Sequence, residues 1–198
     1  MEENMDVIVY SKNTWLVQGV RHLLKGYYDI VAPSAEGMPQ DEPELKRQQC
    51  RIMDLTESED VISTINRYST MREIRCVFLV SNLSFDYIRR LFLLKGLFIL
   101  PESASPERML SVLRKAFMPR EEECRSLVPV VKLSYTEKKV LQMLTLGIMP
   151  VRIATLLGSD VKTVYTHKSH TMQKLMMHNR LELYRFLFSG IAKPFMDQ

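Results

Sequence analysis

Three cysteines in 198 residues are too few, and wrongly spaced, to organise the chain. Cys50, Cys76 and Cys124 are odd in number and form no C-x-x-C pair, which argues against both a disulfide framework and a thiolate zinc site. They read as buried free thiols, behaving as small apolar side chains. Also missing is any uncharged run of the length a membrane-spanning helix needs. The acidic start MEENMD is unlike the basic opening of a secretory signal. A soluble cytoplasmic protein without membrane attachment is the expectation. His22, His167, His170 and His178 lack metal-ligand spacing with supporting carboxylates, and no nucleophile has an evident base. No enzyme, no metal and no cofactor are therefore expected. His167 reads as a packing residue or a phosphate contact rather than a catalytic one.

Charge is present but unevenly placed. Lys and Arg exceed Asp and Glu by only four overall. Residues 133–198, however, hold 9 basic and 4 acidic side chains, whereas residues 1–132 hold 18 and 19. The basic excess belongs entirely to the C-terminal third, where release of counterions would favour contact with a polyanion.

That same region carries the densest local code. Ser134 followed by Glu137 is a capping box, opening a helix with Val140, Leu141 and Leu144 on one face, and Gly147 is its stop. Pro150 suits the first turn of a second helix that buries Ile153, Ala154 and Leu157 before Gly158. Asp160, an N-cap residue, starts a third helix two positions later, so the chain must bend sharply, as in a helix-turn-helix. On the third helix Val164, His167, Thr171 and Leu175 form one stripe, and Lys162, Tyr165, Thr166 and Ser169 form the opposite, polar and cationic one. Outward residues at the start of such a helix meet base edges in the major groove of double-stranded DNA, while Lys and Thr neighbours hold phosphates. A fourth helix begins at Asn179, and its apolar stripe, Leu181, Tyr184, Leu187 and Phe188, is a candidate dimer face.

Leu133, Glu137, Val140, Leu141, Gly147, Ile153, Ala154, Leu157, Thr163, Val164, His167, Lys174, Leu175, Asn179 and Arg180 stand where the LuxR/NarL-type helix-turn-helix has its signature residues. The resemblance implies DNA contact by Lys162, Thr163, Tyr165, Thr166, Lys168 and Lys174, and Ser169 joins them from the outward stripe. The chain departs from the pattern at four places. Thr136 replaces an Arg, Val151-Arg152 replaces Lys-Glu, Tyr165 replaces a basic residue, and Thr171 replaces an apolar one.

The N-terminal part alternates short apolar runs with helical patterns. Strands are expected at 7–10, 28–31, 52–55, 76–80 and 97–100, and helices at 15–24, 61–68, 85–94 and 107–117. Residues 33–49, rich in Pro, Glu, Asp and Gln, read as a loop. Strands alternating with helices imply a parallel sheet covered on both faces. The order resembles a flavodoxin-like (βα)5 receiver followed by a four-helix LuxR-type domain, α/β plus α, with boundaries 1–118, linker 119–132 and 133–198. In receivers an aspartate takes a phosphoryl group beside magnesium, held by acidic residues after strand one and assisted by a hydroxyl and a lysine. Asp54 and Ser81 stand at the acceptor and hydroxyl positions. Ser11 and Lys12 replace the acids, and Pro101-Glu102 replaces the lysine. Asp54 is therefore expected to be vestigial, with Lys12 either paired to it or turned to solvent.

By length, by the eroded receiver and by the segment MPVRIATLLGSDVKTVYTHK, the chain also resembles small enterobacterial regulators of fimbrial genes. The resemblance implies a transcription regulator of fimbrial or other surface-structure genes that binds DNA as a homodimer or as a heterodimer with another response regulator. The alternative is an interaction protein that pairs with such a regulator or antagonises it.

Overall fold

The computed structural model describes residues 6–25, 30–31, 49–71, 75–118 and 125–196. In chain order the elements are β1 (Asp6–Tyr10), α1 (Thr14–Leu24), β2 (Ile30–Val31), β3 (Gln49–Asp54), α2 (Val61–Ser69), β4 (Arg75–Val80), α3 (Asn82–Leu91), β5 (Phe92–Lys95), β6 (Phe98–Pro101), α4 (Pro106–Phe117), β7 (Ser126–Pro129), α5 (Tyr135–Thr145), α6 (Pro150–Leu157), α7 (Val161–Lys174), α8 (Arg180–Leu187) and α9 (Lys193–Met196). Two compact units result: residues 1–85 with 94–127, and residues 86–93 with 128–198. Helix α3 begins in the first and ends in the second.

The first unit is built on a five-stranded sheet in the order β2-β1-β3-β4-β6. Every pairing is parallel, with Val9 opposite Ile52, Ile52 opposite Val77 and Val77 opposite Phe98. This is the doubly wound order in which sites form at the carboxyl ends of the strands. Alternate side chains leave opposite faces of a strand. Val7, Val9, Cys50, Ile52, Val77, Leu79 and Leu100 pack with Val20 and Leu24 of α1 and Met109, Leu113 and Ala116 of α4. The intervening positions Tyr10, Met53, Phe78 and Val80 are buried too, as are Ile62, Ile65 and Tyr68 along α2. Arg51 is the charged exception among them, its guanidinium 6.0 Å from the Tyr10 ring. The helices start where local chemistry provides acceptors. Asn13 accepts from the amides of Trp15 and Leu16, Asp60 from Ser63, and Ser105 from Arg108 ahead of Pro106.

Three expectations change. The third strand runs Gln49–Asp54, so Asp54 closes it and Leu55 lies beyond. The expected helix 85–94 starts earlier and stops at Leu91, and Phe92–Lys95 is the extended strand β5. Its partner is β7, inside the segment expected to be an irregular linker. An extended chain needs outside partners for its backbone groups, and β7 supplies them. β5 ends at Gly96, whose φ of +62° suits glycine and where an added Cβ would sit 3.2 Å from the Arg125 side chain. Of the second strand only Ile30–Val31 is described, and Tyr28, residues 33–48 and Cys124 lie outside the described residues. Among the described residues no helix is long and apolar enough to cross a membrane.

Cys50 and Cys76 are buried and free, as expected. Burial pushes both thiols up to about 12, so almost no thiolate exists near neutrality. Peptide mapping after iodoacetamide treatment at mildly alkaline pH should leave both unmodified in the folded protein and label both in denaturant. Equal labelling in the two conditions would contradict the packing of β3 and β4.

Candidate nucleic-acid interface

The helix-turn-helix is assembled from caps. The Ser134 hydroxyl accepts from the Glu137 amide at 3.3 Å, and Glu137 Oε2 accepts from the Ser134 amide at 2.7 Å, completing the capping box of α5. The same oxygen takes the Lys174 ammonium at 2.7 Å. This ties the first turn of α5 to the last turn of α7 across 37 positions of chain. Burial alone would raise the Glu137 pKa. The Lys174 and Ser134 bonds outweigh it and hold the carboxyl below its ordinary value. Gly158 ends α6 in the left-handed conformation, and α7 starts after Asp160, which occupies the N-cap position without a side-chain bond. Val140, Leu141, Leu144, Ile153, Ala154, Val164 and Leu175 are buried between α5, α6 and α7.

Helix α7 presents Lys162, Thr163, Tyr165, Thr166 and Ser169 to solvent, the outward stripe expected of a base reader. Tyr165 is 53 % exposed and the Thr166 hydroxyl is bonded back to the Lys162 carbonyl at 3.0 Å. Two of the expected contact residues are placed differently. Lys168 lies on the inward stripe, four residues after buried Val164, and is only 9 % exposed, with its ammonium 5.4 Å from the centre of the Tyr184 ring. Burial, followed by the charge of Arg180, lowers its pKa. In that place its stem is covered and its ammonium faces an aromatic ring. Lys174 is held by Glu137 rather than offered freely to DNA. Thr171, which replaces an apolar residue, is buried with its hydroxyl satisfied, donating to the His167 carbonyl at 2.8 Å. His167 itself is half-buried on that inward side.

On α8 the Asn179 side chain accepts from the Glu182 amide at 2.9 Å. Leu181 and Phe188 are 61 % and 70 % exposed with partly exposed Tyr184 between them, a stripe at helical spacing. Leu187 drops out of the expected dimer face, because it is buried in the core with Leu183 and Phe186. Sequence reasoning missed Phe195 of α9, whose ring meets Phe186 at 5.8 Å and Phe92 at 5.3 Å, and whose neighbour Met196 accepts from Gln142 on α5. The apolar pair Ile191-Ala192, also buried, was the available signal.

The carboxyl ends of β1, β3, β4 and β6 hold a second polar cluster. Asp54 Oδ2 accepts from the Ser11 hydroxyl at 2.5 Å, and Oδ1 accepts from the Thr56 hydroxyl at 2.7 Å and amide at 3.1 Å. Lys12 is exposed, so the solvent alternative holds and Ser11 takes the place proposed for an ion pair. Glu102 accepts from the Asn82 amide at 3.1 Å where a receiver has its lysine, and Ser81 bonds Ser84. The residues here do not fit magnesium: Ser11 and Thr56 supply hydroxyls beside Asp54 where further carboxylates would be needed, and among the described residues no group of three or more His, Cys, Asp or Glu side chains could hold a metal.

The Glu137 carboxylate contributes stability above its ordinary pKa of 4.5, and that contribution is lost as pH falls through its lowered folded value. Glu137→Gln should cost roughly 2 kcal/mol at neutral pH, discounted for the solvent exposure of Lys174. Thermal melts across the acid range should then show wild type losing stability more steeply than the variant below that pH. Parallel acid limbs would contradict the assigned bond.

Residues 131–187 match the family described as bacterial regulatory proteins, luxR family. The chain is 27 % identical over 203 residues to the uncharacterized protein YjjQ of Escherichia coli O157:H7, covering 92 % of this chain and 84 % of that one. It is 29 % identical over 140 residues to the transcriptional regulatory protein RcsA of the same organism, covering 69 % and 65 %. Among solved structures, two RcsB dimers bound to two parallel DNAs align with TM-score 0.62 at 20 % identity over 94 % of this chain and 99 % of that one. RcsB from Salmonella enterica serovar Typhimurium bound to promoter P1flhDC aligns with TM-score 0.60 at 19 % identity, over 96 % and 100 %. These likenesses bear out the α/β receiver-like fold followed by helices. The family match falls on α5 to α8, the segment that holds the helix-turn-helix.

Proposed function

We propose that the chain reads double-stranded DNA as a dimer, through Lys162, Thr163, Tyr165, Thr166 and Ser169 of α7, and regulates transcription without aspartate phosphorylation. The observation that carries this is the open, polar and cationic face of α7 on a domain whose inner residues are packed and bonded. The receiver-like region 1–118, the linker 119–132 and the helix-turn-helix region 133–198 are the functional parts of this reading. Leu181, Tyr184 and Phe188 form the dimer stripe, which would place two α7 helices about 34 Å apart, in successive major grooves. Asp54 is a structural carboxylate, since Ser11 and Thr56 already occupy it and Glu102 replaces the cation that would meet a phosphoryl group. The segment around α6 and α7, by its resemblance to fimbrial regulators, points to fimbrial or other surface-structure genes as targets.

A heterodimer with another response regulator is the second reading. Trp15, the single tryptophan of the chain, is 86 % exposed on α1 and offers a large aromatic surface to a partner.

Binding to the protein's own genomic fragments, measured across salt concentrations, tests the first reading. Lys162→Ala should weaken binding and lower the salt slope by about 1, whereas Lys168→Met should leave the slope unchanged. Weak, sequence-blind binding that Lys162→Ala does not alter would overturn it. Incubation with acetyl phosphate and magnesium should leave Asp54 unlabelled, and stoichiometric labelling would reject the unphosphorylated reading. Light scattering with and without an added response regulator separates homodimer from heterodimer.

A further inference from the structure

The turn between α7 and α8 is gripped by a helix that lies far away in sequence. Tyr87 and Arg90 are three apart on α3 and therefore share a side of it. The Tyr87 hydroxyl donates to the Glu182 carbonyl at 3.1 Å. Arg90 donates to the Glu182 carboxylate at 2.8 Å and to the Met176 carbonyl at 3.3 Å. The Tyr87 ring meets Phe186 edge-on at 5.3 Å, and the Arg90 guanidinium lies 5.3 Å from the Tyr87 ring. Glu182 is the hub, because its other oxygen accepts from the His178 amide at 3.0 Å while its own amide is capped by Asn179. Met176 holds a φ of +53°, a conformation that side-chain-bearing residues seldom adopt. The turn thus depends on bonds from outside its own helices.

We infer that Tyr87 and Arg90 are positioning residues for DNA binding: by clamping the α7–α8 turn at Glu182 and Met176 they set the angle between the reading helix and the helix that carries the dimer stripe. The inference rests on the DNA-reading proposal above. The clamp approaches from the side of Glu182 and Phe186. It leaves Lys162, Tyr165 and Thr166 on α7, and Leu181 and Phe188 on α8, exposed. It therefore holds the domain in a form open to DNA rather than covering the reading face. In a symmetric dimer any change in that angle alters the spacing of the two reading helices, and the fit to both half-sites with it.

The test uses the full chain and a duplex that the wild-type protein enriches from a randomised library. Arg90→Ala and Glu182→Gln should each weaken binding roughly three- to tenfold with the wild-type salt slope, since no phosphate contact is removed. The double variant should be no weaker than either alone, and the exchanged pair Arg90→Glu with Glu182→Arg should recover part of the loss. Tyr87→Phe keeps the packing against Phe186, removes one bond and should show a smaller loss. Hydrogen exchange without DNA should be faster at residues 178–183 in each variant while α5 stays protected, which separates clamp loss from unfolding. Unchanged exchange overturns the inference whatever the DNA result. Wild-type or tighter binding with faster exchange also overturns it. If wild type enriches no duplex, the DNA-reading proposal fails, and with it the positioning role. Faster exchange would then record only a structural clamp.

Discussion

One carboxylate sets the geometry of the C-terminal domain. Glu137 is nearly inaccessible, yet it closes the first turn of α5 through Ser134 and holds the last turn of α7 through Lys174. A buried, unpaired carboxylate would be costly, so this site is stable only when all three groups meet. That requirement fixes where α7 ends relative to where α5 begins. The outward stripe of α7 can be polar because its seating is secured elsewhere, by Val164 and Leu175 in the core and by the back-bonded hydroxyl of Thr171.

The same rule, that a buried or half-buried carboxylate must find its partners, explains the receiver-like sheet. Asp54 finds its partners in the Ser11 and Thr56 hydroxyls, and Glu102 accepts from the Asn82 amide. The strand-end position favoured for ligand sites in doubly wound sheets is thus filled by the protein's own side chains. What remains is a parallel sheet with a well-packed core.

Much of this was legible because its signals are local. Ser134, Pro150, Asp160 and Asn179 mark the starts of α5 to α8 correctly, since a cap acts within one turn. The apolar runs gave five strands of a parallel sheet. Lys168 was misplaced by following resemblance instead of spacing: it lies four residues after Val164 and three before Thr171, on the buried stripe. Leu187 was placed on the dimer face by its apolar stripe, but Leu183 and Phe186 define the inward side of α8 and Leu187 lies with them. Other features were not legible at all. Phe92–Lys95 reads as helix or strand equally well until β7 is known to pair with it. The bonds from Glu137 to Lys174 and from Arg90 to Glu182 join residues whose separation in sequence carries no pattern.

The central claim is that α7 carries the DNA contact on its outward stripe while Lys168 and Lys174 serve the fold. Amide and lysine side-chain chemical shifts, followed as duplex DNA is titrated into the intact protein, test it most directly. The account predicts large changes at Lys162, Thr163, Tyr165, Thr166 and Ser169, with the Lys168 ammonium signal unmoved and Asp54 and its neighbours silent. Changes centred on Lys168, or on the ends of β1 and β3 with α7 unaffected, would contradict it.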